Sequence, residues 1–215
     1  MQNDFCEGGS LAIQGASEII PIINKLKHDQ RFQKVIYTRD WHPIDHCSFQ
    51  ANHPGSKLFE TITLPETGVE QVMWPTHCVQ NTRGAELHHE LDIQPIKTDL
   101  ENQITVISKG QLRQVDSYSG FGNYPEQTDL KDRLITLAKQ RFGELENIKN
   151  LVKVYCVGLA FDYCVGSTAI DSAKLGFETF ILKDATRSAG QESEEKMIQK
   201  INEAGVKIIK SEDFI

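Results

Sequence analysis

Long apolar runs, clustered cationic residues and paired cysteines are all missing from this chain, and each absence removes a class of function. No apolar stretch approaches the roughly 20 residues needed to span a bilayer. The opening Met-Gln-Asn-Asp-Phe has no basic-then-apolar leader, so the expectation is a soluble, cytoplasmic protein. The 23 Lys and Arg residues are outnumbered by 30 Asp and Glu, and the net charge of −7 is spread along the chain. That distribution argues against nucleic acid or an anionic membrane as partner and leaves a small molecule as the default ligand. Five cysteines form an odd, scattered set without a Cys-x-x-Cys pair, which suggests neither a disulfide framework nor a thiolate zinc site and fits a reducing compartment. There is no repeat, no low-complexity segment and no Gly-x-Gly-x-x-Gly phosphate loop, which lowers nucleotide-binding readings.

At 215 residues the chain is long enough to bury about 70% of its unfolded surface without a staple, and one domain over residues 1–215 is expected. Residues 1–15 are polar and glycine-rich and read as a loop. Residues 16–28 have helical apolar spacing despite Pro21; 34–38 form a short strand; 43–85 look irregular, with four prolines. Residues 86–91 suggest a helix, 104–107 a strand, 111–124 a loop, and 128–142 an amphipathic helix capped by Thr128. After residue 151 come a strand, a sharp turn and a helix, then a strand over 178–182, a loop over 183–190, a helix over 192–204 and a strand over 206–209. Strands alternating with helices predict an α/β fold, a mostly parallel, doubly wound sheet with helices on both faces.

The stretch that organises the rest runs from Leu151 to Lys174: an apolar, β-branched strand stops at Gly158, and a helical pattern restarts near Cys164. A cysteine there meets the unpaired N–H groups and dipole of a helix start, which favour a thiolate and could receive an oxyanion. This window alone favours a small buried hydrophobe, as most free cysteines are. Functional groups of such sheets gather at the carboxyl ends of the strands, however, and Asp40, Lys109 and Cys164 each fall two to six residues past an expected strand. Three capable groups therefore reach one edge.

Asp40-Trp41-His42 sets a carboxylate and an imidazole on one face of an extended segment, and His77 lies in the long irregular connection. One Asp and two His suit zinc, or another divalent transition metal, with positions left open for water or substrate. Taken alone, Asp40 could equally cap a turn. His46, His53, His88 and His89 are by default treated as surface residues, and His46 is the one held as a fourth or supporting group.

Together these residues resemble the nicotinamidase branch of the isochorismatase-like cysteine hydrolases. The matching pieces are Gln2-Asn3-Asp4-Phe5, Gly9-Ser10-Leu11, Thr38-Arg39-Asp40-Trp41-His42-Pro43, Trp74-Pro75-Thr76-His77-Cys78, Lys109-Gly110, Gly158-Leu159-Ala160, Asp162-Tyr163-Cys164 and Asp184. The resemblance implies a nucleophile at Cys164, a catalytic lysine at Lys109, and a metal, Zn2+ first among candidates, on Asp40, His42 and His77. It implies a cis peptide between Leu159 and Ala160 that turns the Ala160 N–H toward the oxyanion beside that of Cys164. Phe5, Trp74, Tyr118 and Tyr163 would form an aromatic slot for a flat pyridine ring. The implied reaction converts nicotinamide to nicotinate and ammonia through a cysteine thioester, with no organic cofactor and with a homo-oligomer left open.

One departure from the family pattern stands out. The family's triad aspartate falls just before the residue matching Met1, at the end of a central first strand, so that strand and carboxylate are expected to be absent from this sequence. The two resulting expectations are an enzyme whose start lies further upstream, or an inactive metal- or ligand-binding relative. Another amide hydrolase of the same superfamily is the remaining alternative, and it would leave the metal set without a role.

Overall fold

The computed structural model describes residues 1–95 and 104–213. Among the described residues there are seven strands: β1 (Ile36–Asp40), β2 (Thr61–Thr63), β3 (Glu70–Val72), β4 (Thr105–Lys109), β5 (Lys153–Leu159), β6 (Glu178–Arg187) and β7 (Lys207–Ile209). The α-helices are α1 (Ile20–Lys27), α2 (Leu130–Phe142), α3 (Gly166–Lys174) and α4 (Gln191–Glu203). Strands β1 and β4 pair in parallel, with Asp40 directly opposite Lys109. Strands β5, β6 and β7 form a second parallel sheet in that order, and β2 and β3 make a small antiparallel hairpin. The expected parallel α/β architecture is therefore present, but in two separate pieces.

Between the pieces runs an apolar groove of about 240 Å³, lined along its length by Ile36 and Tyr37 of β1, Val154 and Tyr155 of β5, and Leu134 of α2. Among the described residues no strand pairs with both β1 and β5. At its lower end β1 is instead completed by a side chain: the Gln2 amide donates to Asp40 O at 2.7 Å, and its oxygen accepts from the Asp40 N–H at 2.7 Å.

Helices α3 and α4 bury Ala169, Met197 and Ile201 against Cys156, Phe161 and Ile181. The removal of each large side chain from water stabilises the fold by about 1.5–3 kcal/mol. A second apolar cluster gathers Phe5, Ile13, Ile19, Cys78, Leu159 and Ala160, so the chain's opening loop is packed against the sheet end.

Several element boundaries differ from expectation, for identifiable reasons. Strand β1 continues through Asp40 because the Gln2 amide satisfies the Asp40 N–H and C=O and the Lys109 carbonyl accepts the next N–H, that of Trp41. Helix α2 starts at Leu130; the Thr128 hydroxyl donates to Gly120 O at 2.6 Å and so ties the preceding loop. Residues 86–91 are not helical, since Leu87 bridges Gln2. The irregular connection contains the β2–β3 hairpin, and β6 continues five residues past the expected end at Leu182 to Arg187.

Candidate active site

The carboxyl ends of β1 and β4 deliver Asp40 and Lys109 side by side, both at least 95% buried. The Lys109 ammonium has three donors and three partners: Asp40 Oδ1 at 2.6 Å, Ser117 O at 2.7 Å and Cys164 Sγ at 3.4 Å. Burial opposes charge on both members of the pair. The Asp40 carboxylate nevertheless outweighs it and raises Lys109, while Lys109, His42 and His77 hold Asp40 down to about 2.

Asp40 Oδ2 points the other way, 3.8 Å from His42 Nε2 and 4.0 Å from His77 Nε2. Each imidazole gives its other nitrogen to a backbone carbonyl: His42 Nδ1 donates to Gly110 O at 2.8 Å, and His77 Nδ1 to Pro75 O at 2.8 Å. Both Nε2 lone pairs are thereby left facing Asp40. One carboxylate oxygen and two imidazole nitrogens with second nitrogens so oriented form a donor set that fits a divalent metal. Burial pushes His42 down to about 4, so it is neutral and able to ligate near neutral pH.

His46 is fully buried, contrary to a surface default, and stacks on His42 with ring centroids 4.0 Å apart. Its Nδ1 is engaged by the Ser48 hydroxyl at 2.8 Å and its Nε2 by Val115 O at 3.0 Å. Both nitrogens are spoken for, and the ring acts as a wedge that holds His42 in place. His53 is half-buried on Cys47 O, His88 is half-buried and His89 is exposed.

The opening loop clamps this region from above. Asp4 Oδ2 accepts the Cys78 N–H at 2.7 Å, Cys78 O accepts the His42 N–H at 3.0 Å, and Phe5 lies 5.5 Å from the His77 ring.

Cys164 enters from the other sheet. After β5 the Leu159–Ala160 peptide is cis, and residues 161–165 wind as a π-helical turn in which Val165 N–H donates to Ala160 O at 3.0 Å. Cys164 sits inside that turn, one step earlier than the α-helical start its pattern suggests. Burial, with the Asp40 and Asp116 carboxylates, pushes its thiol up to about 12, against the pull of Lys109. The stabilised thiolate expected from a helix start is therefore not the resting state. Asp162 fixes the turn: its carboxylate accepts the N–H groups of Ala189 at 2.9 Å and Gly190 at 3.0 Å and the Ser193 hydroxyl.

One pocket brings these elements together. It is lined by Phe5, Trp74, Tyr118 and Tyr163 together with Asp40, His77, Ala160 and Cys164. Trp74 meets Tyr163 edge-on at 4.8 Å, and its indole N–H donates to the Tyr118 hydroxyl at 3.0 Å, so the aromatic walls support one another. Leu11, Ile13 and Asp116 line it as well and were not anticipated. The first two were visible only as large apolar residues of the opening loop. Asp116 accepts from Gln71 at 2.8 Å, and its one sequence signal was its position within the loop after Lys109. A cysteine, a carboxylate and an imidazole lining one aromatic cavity, with a buried lysine joining the cysteine to the carboxylate and a second imidazole completing a metal-type donor set behind it, can cleave an acyl bond of a small aromatic ligand.

Residues 1–213 match the isochorismatase domain family. The chain belongs to the isochorismatase family. Its relatives place it more finely: the nicotinamidase of Acinetobacter baylyi is 40% identical over 188 residues, covering 87% of this chain and 78% of that one. Among solved structures of the family, the yeast nicotinamidase bound to the inhibitor nicotinaldehyde is 30% identical and superposes with a TM-score of 0.82, covering 98% of this chain and 96% of that one. The pyrazinamidase of Pyrococcus horikoshii in complex with zinc is 32% identical with a TM-score of 0.69, covering 98% and 94%.

Proposed function

We propose that the chain hydrolyses nicotinamide to nicotinate and ammonia, with Cys164 as nucleophile. The observation that carries this reading is the 3.4 Å contact of Lys109 Nζ with Cys164 Sγ, a sulfur that lines the aromatic pocket, with Asp40 behind the lysine. The ring lies between Phe5, Trp74, Tyr118 and Tyr163, which excludes water and presents the carboxamide to sulfur. Cys164 Sγ forms a bond to the carboxamide carbon as the thiol proton leaves. The tetrahedral oxyanion is received by the N–H groups of Ala160 and Cys164. Collapse breaks the C–N bond, ammonia departs with the proton, and water then cleaves the thioester to nicotinate. Lys109 stays charged throughout and holds the sulfur's negative charge as it develops.

Asp40, His42 and His77 would hold a zinc ion. When bound, zinc supplies a Lewis acid for the pyridine nitrogen, which orients the ring. The zinc-bound Pyrococcus relative and the donor set described above support this choice of metal.

A second reading, binding without turnover, draws on one observation: the Cys164 thiol is pushed up to about 12 and rests neutral. The two part on ammonia release from nicotinamide by zinc-loaded protein, expressed both from Met1 and with any residues encoded upstream, beside Cys164→Ala. Release in the cysteine protein and a loss of about 10⁴-fold or more in Cys164→Ala is the expected result. Binding of nicotinamide with no ammonia from either form would overturn the hydrolase reading in favour of the second.

A further inference from the structure

Glu126 takes no part in the chemistry above, yet its carboxylate is buried among the loops that carry it, at 7% exposure. Oε2 accepts the Gly110 N–H at 2.7 Å and Oε1 the Gln111 N–H at 2.8 Å. The second of these bonds has a consequence beyond its own loop. The Gln111 N–H and the Gly110 C=O belong to one peptide group, and that C=O is the acceptor for His42 Nδ1 at 2.8 Å. A carboxylate thus grips one end of a peptide whose other end grips an imidazole.

A peptide N–H given to an anion polarises its carbonyl and makes it a stronger acceptor. A carbonyl can only accept, so the proton of His42 is drawn to Nδ1, and the lone pair is left on Nε2, the atom facing Asp40. The arrangement needs a glycine: Gly110 has φ +65°, and a Cβ there would stand 2.3 Å from His42 Cε1.

We propose that Glu126 is a positioning residue, which acts through the Gly110–Gln111 peptide to hold His42 in its Nδ1–H tautomer and so prime Nε2 for a divalent metal. Metal-bound histidines commonly give their second nitrogen directly to a carboxylate or carbonyl; here a single peptide group joins both kinds of partner in series. The inference rests on the reading of Asp40, His42 and His77 as a metal site, but its first readout needs no metal.

The test compares wild type with Glu126→Gln, whose amide matches the carboxylate in size but cannot accept from both N–H groups. Long-range ¹H–¹⁵N correlation spectra of metal-free protein report the His42 tautomer. Wild type is expected to show the Nδ1–H form alone and Glu126→Gln a mixture. Zinc affinity, measured by competition with a chelating dye, is expected to fall about 10–100-fold in the variant. The rate of Cys164 alkylation by iodoacetamide should not change, because the cysteine stands on the other sheet. Should Glu126→Gln fail to fold, Glu126→Ala removes the acceptor of the relaying N–H and should give the same signature. An unchanged tautomer and zinc affinity would overturn the proposal. So would zinc affinity and alkylation falling together, the mark of general loosening. Wild type that binds no zinc but shows the tautomer switch would retire the metal reading and leave the Glu126 link standing.

Discussion

In the β1–β4 piece, Asp40 and Lys109 stand on paired strand ends, and their surroundings are tied by Gln2, Ser117, Gly110, and the clamp of Asp4 on Cys78. In the β5–β7 piece, Cys164 stands off the sheet on a π-helical turn, beyond a register shift between Cys156 and Gly158, and is tethered chiefly by Asp162. The first region braces a metal-type donor set by giving the second nitrogen of each imidazole to a backbone carbonyl. The second carries Cys164, whose thiol burial pushes up to about 12, on a turn outside the sheet. Across the groove the two meet through side chains and loops: the Lys109–Cys164 contact, the edge-on Trp74–Tyr163 pair, and a Thr168 hydroxyl that accepts from Gly120 N and donates to Cys164 O. The molecule therefore divides its candidate site between a donor set braced on paired strand ends and a cysteine carried on a turn off the sheet.

Lys109→Met is the substitution that should break both sides at once. Loss of the cation leaves the buried Asp40 carboxylate unpaired, and global stability should fall by about 3–5 kcal/mol in a denaturant titration. Iodoacetamide should react with Cys164 more slowly near neutral pH, since the one neighbour that lowers its thiol is gone. An unchanged alkylation rate would show that the two sheets do not communicate through this lysine.

Proton linkage should divide the two regions by pH. His42 titrates near 4 in the fold against 6.5 when free, so below about 6.5 the unfolded chain takes up a proton that the native state refuses. Metal-free protein should therefore lose stability as pH falls from about 6.5 toward 4, by on the order of 3 kcal/mol at most. Cys164 is displaced the other way, up to about 12 from 9.0, so its contribution is intact below pH 9 and fades as pH rises through that interval. Denaturant midpoints of His42→Gln and Cys164→Ala across acid and alkaline buffers check the division. An acid limb unchanged in His42→Gln would refute the assignment.

The smallest expected effect belongs to Asp162→Asn, which weakens the three bonds to residues 189–193 at a cost of about 1–2 kcal/mol. Alkylation of Cys164 should change and zinc affinity should not. A shift in zinc affinity would mean that the turn and the metal seat are less separate than the comparison holds.

The degree to which sequence revealed this site follows from what kind of structure holds each residue. Asp40 and His42 were legible because the i, i+2 rule of an extended chain places them on one face whatever the rest does. Cys164 and Lys109 were legible because parallel strands end at one edge. Asp116 and Glu126 were not, and His46 was legible as a supporting group but not as a buried wedge: each is placed by the path of an irregular loop, and no periodicity predicts which carbonyl or N–H such a loop will offer. Similarly, β6 was cut short at Leu182 because Lys183 and Asp184 break its apolar run, although both are half-buried and the strand continues past them. The β2–β3 hairpin has strands of three residues each, too short for alternation to be seen among the prolines.

The π-helical turn of residues 161–165 also sets the tolerance of this chain to changes in length. A π turn holds one residue more than the α-helix it leads into, and successive α-helical residues are about 100° apart around the axis. Deletion of one residue between Ala160 and Cys164 would let the helix continue as a regular α-helix and swing the sulfur by about that angle, away from Lys109. The protein should remain folded around Ile181, Met197 and Ile201, with its cysteine pointing at the wrong wall. Insertions and deletions in this turn are therefore counted in degrees of rotation, and a relative that differs by one residue here would keep the fold and lose the reaction.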